Sequence, residues 1–335
     1  MSDINVMKVL IVGVDDPIHV GRFFLDSGVD LGLDIQIIDS RASMKGNRIL
    51  RRSLWMLRKQ PINLYGFSQS VVRRVSDWRP DIVITTGLAP LVRKDITTIK
   101  AMGSIVVNFS TDDPWNPAHR SSWFLKALTA YDRLYSPRRA NLKDFDELGC
   151  RSVSWLPFAY QPAVHFPVDK DPGKWRSDVA FVGGADKDRV PMIGKLIYSG
   201  IDVSLWGGYW ERFSSTKSAA RGIATSETVR HVLSNTTCAL TLGRRSNRDG
   251  HAMRTFEVAA IGAPALVEGT VEHRELFGDE GDVVRYFDSD ADLLEKLQWF
   301  LMNPEAAGKM GKRLRKHIEL GHHTYTDRLE TMISD

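Results

Sequence analysis

Short apolar, β-branched runs alternate with amphipathic stretches along the chain, the pattern of parallel strands covered by helices. In the first half Met7–Val12 predicts a buried strand ending at Gly13, and Asp34–Ile38 a second ending at Asp39. Asp81–Thr85 and Ser104–Phe109 predict two more, with helices over Val20–Leu31, Gly66–Trp78 and Ala89–Met102. Leu156–Trp175 breaks the pattern with Pro157, Pro162, Pro167 and Pro172 and reads as a linker. The alternation then restarts. Asp178–Val182 closes at Gly183-Gly184, Asp202–Trp206 at Gly207-Gly208, and Cys238–Leu242 and Ala265–Val267 flank a helix centred on Val258. Asp292–Met302 and Glu305–Glu319 carry helical periodicity.

The fold class expected is α/β: two Rossmann-like doubly wound domains, at 1–165 and 166–335, facing across a cleft lined by the carboxyl ends of both sheets. The last helix is expected to pack back on the first domain. At 335 residues, 43% hydrophobic and 26% charged, the chain has the size and composition for two such cores, which excludes disorder and fibrous repeats. Cys150 and Cys238 are too few for a disulfide framework. No apolar run reaches the ~18 residues of a spanning helix, and Met1–Lys8 lacks a basic region before an apolar core. A cytoplasmic protein without a signal peptide is expected.

The net charge of +4 conceals an asymmetry. Residues 1–165 hold 22 Lys and Arg against 16 Asp and Glu, and the excess sits in Arg41–Lys59, with seven basic residues and no acidic one. Ile49, Leu50, Leu54, Trp55 and Leu57 are interleaved there. As a helix this segment is amphipathic and suits either an anionic membrane surface or ordinary packing on the sheet. One such patch does not make a nucleic-acid binder.

The chemistry concentrates between Leu242 and Glu268. A strand ends near Gly243, a polar loop with Arg244, Arg245, Arg248 and Asp249 follows, and a helix starts near Met253 and stops at Gly262-Ala263-Pro264. The start of that helix is a seat for phosphate oxygens, to which the loop arginines and Arg254 add charge-assisted bonds. Glu257, repelled by phosphates, suits ribose hydroxyls better, unless it only complements the helix dipole.

These residues resemble the CgeB-like, spore-maturation-protein type glycosyltransferases of the GT-B fold. The resemblance is carried by Arg254-Thr-Phe-Glu-Val-Ala-Ala-Ile-Gly-Ala-Pro264, then Glu275-Leu-Phe277, Asp292-Leu-Leu294, and His323-Thr-Tyr325 with Arg328. It is looser in the first half, through Asp112-Asp-Pro-Trp115, Tyr131-Asp132 and Leu156-Pro-Phe158. The resemblance implies transfer of a sugar from a nucleoside diphosphate sugar to a glycan, lipid-linked or protein acceptor. It implies Glu257 at the donor ribose, with Thr255 and Arg254 beside it. It also places Gly183-Gly184 near the diphosphate, and Arg189 and Lys195 lie just beyond. Related retaining enzymes carry, eight positions before the ribose glutamate, a second one that approaches the donor sugar; here Asp249 stands at that place and is by resemblance a catalytic candidate.

His19, in the loop after the first strand, is a candidate general base, with Asp15 or Asp16 to orient it. Asp112 and Asp113 follow a strand and are catalytic candidates, to bind acceptor hydroxyls or serve as base, unless they are simply turn chemistry. Asp288-Ser-Asp290 fits a metal-binding D-x-D pattern but precedes a helix, where capping explains it better. His317, His322 and His323 lack an interleaved ligand set. No metal or cofactor is therefore expected, and no Walker or G-x-G-x-x-G motif is present. The rival expectations are a GT-B sugar-nucleotide epimerase and a catalytically silent nucleotide-sugar-binding coat protein.

Overall fold

The computed structural model describes residues 6–335, so the start of the segment read for a signal peptide lies outside the described residues. Contacts divide the chain into two compact units, residues 1–157 with 325–335, and residues 158–324. The boundary thus falls before Phe158 rather than at 165. Phe158 and Tyr160 are buried in the second unit, where the Phe158 N–H donates to His251 Nε2 (3.2 Å) and Tyr160 bridges to Thr324.

The first unit is a six-stranded parallel sheet in the order β2-β1-β3-β4-β5-β6. Its strands are β1 (Lys8–Gly13), β2 (Asp34–Asp39), β3 (Ile82–Thr86), β4 (Ile105–Phe109), β5 (Arg133–Ser136) and β6 (Val153–Trp155). The helices α1 (Val20–Asp30), α2 (Arg48–Arg58), α3 (Leu64–Trp78), α4 (Arg93–Ala101), α5 (Ser122–Leu128) and α6 (Ala140–Glu147) connect them. The strands β1, β3 and β4 are near-continuous apolar runs because both sheet faces are covered. The helix read from Ala89 starts only at Arg93. Pro90 disfavours helical backbone at Ala89, and Val92 is extended, its N–H donating to Ser68 Oγ at 3.1 Å.

The second unit is a five-stranded parallel sheet in the order β11-β10-β9-β7-β8. Its strands are β7 (Ser177–Val182), β8 (Val203–Trp206), β9 (Thr236–Thr241), β10 (Ala265–Glu268) and β11 (Arg285–Phe287). Its helices are α7 (Pro172–Trp175), α8 (Arg189–Tyr198), α9 (Ser226–Asn235), α10 (Met253–Ile261), α11 (Val271–Phe277), α12 (Asp290–Met302) and α13 (Pro304–Leu320). From Thr255 to Ile261 every residue of α10 is buried. Gly311 of α13 makes that possible, since a Cβ there would lie 2.4 Å from the Gly262 carbonyl oxygen.

The terminal helix α14 (Tyr325–Ser334) belongs to the first unit and packs on α1. Tyr325, fully buried, sets its ring 5.0 Å from Phe23 and 5.5 Å edge-on to Phe24. Burying an aromatic side chain of this size contributes on the order of 2–3 kcal/mol. Arg328, on the same helix, donates to the Pro157 carbonyl at 2.9 Å. Among the described residues no helix is long and apolar enough to cross a membrane.

Candidate functional site

In each sheet the strand order reverses between two neighbours, β1 and β3 in the first unit and β7 and β9 in the second. The loops leaving their carboxyl ends diverge there and leave room for a ligand.

In the second unit β7 runs into Gly183-Gly184. Gly207 comes so close that a Cβ on it would lie 2.2 Å from the Gly183 oxygen, so the backbone of this turn is bare. Across from it, α10 begins at Ala252, whose side chain cannot accept a hydrogen bond, so the first-turn N–H groups have no side-chain cap. What holds the helix start instead is a relay. The Ala252 N–H donates to Thr255 Oγ1 (3.2 Å), whose hydroxyl donates to His273 Nε2 (3.0 Å), and His273 Nδ1–H donates to the Glu268 carbonyl (2.8 Å). Burial pushes His273 down to about 4, which keeps it neutral and able to accept at Nε2. Thr255 is therefore a supporting residue, fully engaged beneath the helix start.

Arg254 is tethered between the two walls. Its Nε donates to the Val182 carbonyl at 3.2 Å, and its Nη1 donates to the Glu257 carboxylate. Glu257 is 2% exposed, and its other oxygen stands 3.8 Å from His165 Nε2. His165 Nδ1 accepts the Gln161 N–H at 3.0 Å, so the ring proton sits on Nε2, toward Glu257. Burial holds His165 below its ordinary range, outweighing the pull of the Glu257 carboxylate. Sequence reasoning missed His165, which lies in the proline-rich stretch read as a linker and carries no periodicity.

The loop from Gly243 to His251 is tied at several points. Gly243 N–H donates to Glu268 Oε2 and Arg244 N–H to Asp249 Oδ2, both at 3.0 Å. Asp249 thus closes the loop. His251, buried, donates from Nδ1 to Glu272. Arg244 stays half-exposed, its Nε 3.9 Å from Asp186 Oδ2, and Arg245 is exposed. Arg189 lies elsewhere in character. Only 7% exposed, it donates to the carbonyls of Leu242 (3.0 Å) and Gly184 (3.3 Å), so it staples the two loops together. Lys195 does not reach these loops with its charge; it pairs with Asp290 at 2.6 Å. Asp288 pairs with Arg274, and Ser289 caps α12, which accounts for the D-x-D pattern.

In the first unit a cavity of about 240 Å³ opens at the ends of β1, β3 and β4, lined by His19, Thr86, Thr111 and Asp112 among others. His19 stands there as the residue before α1, whose close approach depends on Gly13 and Gly21; a Cβ on Gly13 would be 2.5 Å from Thr86 Oγ1. The structure thus brings His19 and Asp112 to one cavity. It does not bring Asp113, which is 1% exposed and accepts from the Trp115 N–H (2.9 Å) and Asn141 Nδ2 (2.8 Å). Nor do Asp15 and Asp16 orient His19 as expected: they are paired with Arg22 (3.2 Å) and Arg41 (3.1 Å).

Residues 189–334 match a family model described as glycosyl transferase-like. No curated protein matches the chain. Among solved structures, sucrose-phosphate synthase from Thermosynechococcus elongatus aligns with a TM-score of 0.68 at 10% identity, covering 98% of this chain and 97% of that one. A glycosyltransferase from Rickettsia africae aligns at 0.66, with 11% identity and coverages of 98% and 97%. Anabaena Alr3699/HepE, in complex with UDP-glucose, aligns at 0.65, with 11% identity and 98% of both chains. The chain thus has the GT-B fold, and its residues 189–334 match a glycosyl transferase-like domain.

Proposed function

We propose that this protein is a glycosyltransferase that moves a sugar from a nucleoside diphosphate sugar to a glycan or lipid-linked acceptor, without a metal. The observation that carries the proposal is Arg254, held between the end of β7 and the buried Glu257. That tether sets a carboxylate where it can accept hydrogen bonds from ribose hydroxyls. It also turns the uncapped start of α10 and the bare Gly183-Gly184 backbone to a diphosphate. Arg244 and Arg245, not spent on the protein's own carbonyls, supply further positive charge. HepE binds UDP-glucose, so UDP-sugars are the donors to try first.

The second unit holds the donor and the first unit presents the acceptor. The acceptor hydroxyl attacks the anomeric carbon and gives its proton to His19, with Asp112 holding a neighbouring hydroxyl. The bond from the anomeric carbon to the diphosphate breaks, and its electron pair leaves with the diphosphate, whose charge the helix start and arginines stabilise. Asp249 shapes the loop over the donor, and Arg189 and Thr255 act beneath it. CgeB-like membership, a cytoplasmic location and contact with a membrane through Arg41–Lys59 belong to the same proposal.

Calorimetric titration with UDP and other nucleoside diphosphates tests it. Glu257→Gln should weaken the best of them at least about tenfold, the value of a hydrogen bond to a charged group. Unchanged affinity would remove Glu257 from the site. NMR of a donor-only incubation tells the rivals apart: a new sugar nucleotide marks an epimerase, and neither turnover nor transfer despite tight binding marks a silent binding protein.

A further inference from the structure

Helix α2 is turned the wrong way for a helix of a globular domain. At about 100° per residue, Ile49, Ser53, Met56 and Leu57 share one face, flanked by Leu50 and Leu54, while Arg48, Arg51, Arg52, Arg58 and Trp55 take the other. Ordinary packing would bury the apolar face. Here none of the helix is buried; Ile49 is 78%, Met56 65% and Leu57 82% exposed, and the half-buried residues are Leu54 and Trp55. The helix is nevertheless well terminated. Asn47 caps its start by accepting from the Ile49 (2.9 Å) and Leu50 (3.2 Å) N–H groups, and Lys59 ends it in the left-handed region.

Beside its carboxyl end lies a groove of about 840 Å³ whose lining includes six cations: Arg58, Lys59, Arg93, Lys94, Arg120 and Lys126. The one acid in the lining, Asp95, is 2% exposed and accepts from Gln69 Nε2 at 2.6 Å. Tyr65 and Trp123 form the apolar part of the wall, and Trp123 donates to the Lys59 carbonyl at 3.0 Å, fixing the groove to the helix end. Two copies meeting through this face would bring like charges together, and an acidic peptide would use the cations but leave the apolar stripe wet. An anionic bilayer satisfies both, with acyl boundary for the stripe and phosphates for the groove.

We propose, resting on the assignment of the first unit to the acceptor, that α2 and this groove form one docking site for an anionic phospholipid bilayer. The apolar face of α2 enters the acyl boundary, and the groove takes lipid phosphates. The enzyme would thereby work on acceptors presented at a membrane surface.

Co-sedimentation of the full chain with vesicles tests this. Binding is expected to vesicles of equal parts phosphatidylcholine and phosphatidylglycerol, not to phosphatidylcholine alone, and should fall as salt rises. Ile49→Ser combined with Leu57→Ser, at exposed positions, should weaken binding about tenfold or more. Arg93→Gln combined with Lys94→Gln should cost about fivefold per charge removed. The affinity of each variant for UDP should match that of the parent, because none of these residues is in the donor site. Failure to bind the anionic vesicles, with nucleotide binding intact, overturns the docking site alone; vesicle binding without any nucleotide binding overturns the transferase assignment alone. Equal binding to both vesicles overturns the role of the groove. A dimer that the Ile49→Ser, Leu57→Ser variant dissolves, without vesicle binding, would give the face to a second copy.

Discussion

Glu257 and His165 meet at 3.8 Å in the interior of the second unit, although one lies within a helix and the other in a proline-rich stretch of irregular backbone. The backbone N–H of Gln161 fixes the imidazole tautomer, and the imidazole in turn presents its N–H to the carboxylate. With Arg254 on the other oxygen, Glu257 has a single orientation available. Such a group presents a preorganised acceptor to a ligand at little further entropic cost.

His165→Ala should therefore act through Glu257. Nucleotide affinity should drop about two- to threefold, the low end of hydrogen-bond values, because the N–H faces the carboxylate at 3.8 Å, beyond hydrogen-bond distance; His165→Asn or Gln, which can still donate, should retain part of it. Calorimetry across the three variants checks the ordering. Equal affinities in all three would mean that the contact is only packing.

Two buried histidines make stability depend on pH in a defined direction. His273 is held down to about 4, and His165 is also lowered; in both, burial is the largest cause. The unfolded chain takes up protons near pH 6.5, before the folded one does. Their contribution is thus complete above about pH 6.5 and is lost as pH falls towards 4. For His273 the loss is on the order of 3 kcal/mol. Urea unfolding at pH 7 and pH 4.5 should show it, and His273→Gln should be less stable at pH 7 but lose less on acidification.

The adjacent acids of the first unit should separate cleanly. Asp112 faces the cavity with His19, so Asp112→Asn should lower kcat while leaving the melting temperature nearly unchanged. Asp113 is buried and hydrogen-bonded, so Asp113→Ala should cost about 2–3 kcal/mol by stranding the Asn141 amide and the Trp115 N–H. His19→Ala should lower kcat without changing donor affinity. A melting temperature that falls as far for Asp112→Asn as for Asp113→Ala would dissolve the distinction.

Gly207→Ala should damage the turn that carries Gly183. The added Cβ would overlap the Gly183 oxygen, and the residue sits at a φ of +151°. A loss of at least about 2–3 kcal/mol is expected, with weakened nucleotide binding. Thermal unfolding with and without UDP measures both, and a silent variant would mean that the turn is free to shift.

Much of the architecture was legible in the sequence. The alternation of apolar runs and amphipathic stretches marks most strands and helices, because side-chain periods of 2 and 3.6 are local properties of the backbone. The short strands β5, β6 and β11 stayed hidden because three or four residues hold little period, and none is closed by paired glycines like the equally short β8 or bracketed by proline and glycine like β10. By itself the sequence also determined that a helix starts near Met253, with Arg254 and Glu257 in its first turns. Only the tertiary structure decided how the charges are used. Arg189 and Asp113 looked available but are consumed by carbonyls and N–H groups from distant segments. His165 looked incidental but stands against Glu257. Likewise, the pattern of Arg41–Lys59 predicted an amphipathic helix, but only packing could decide that its apolar face looks outward. A hydrogen bond or a buried face is settled by partners far away along the chain, and no local period records where they will be.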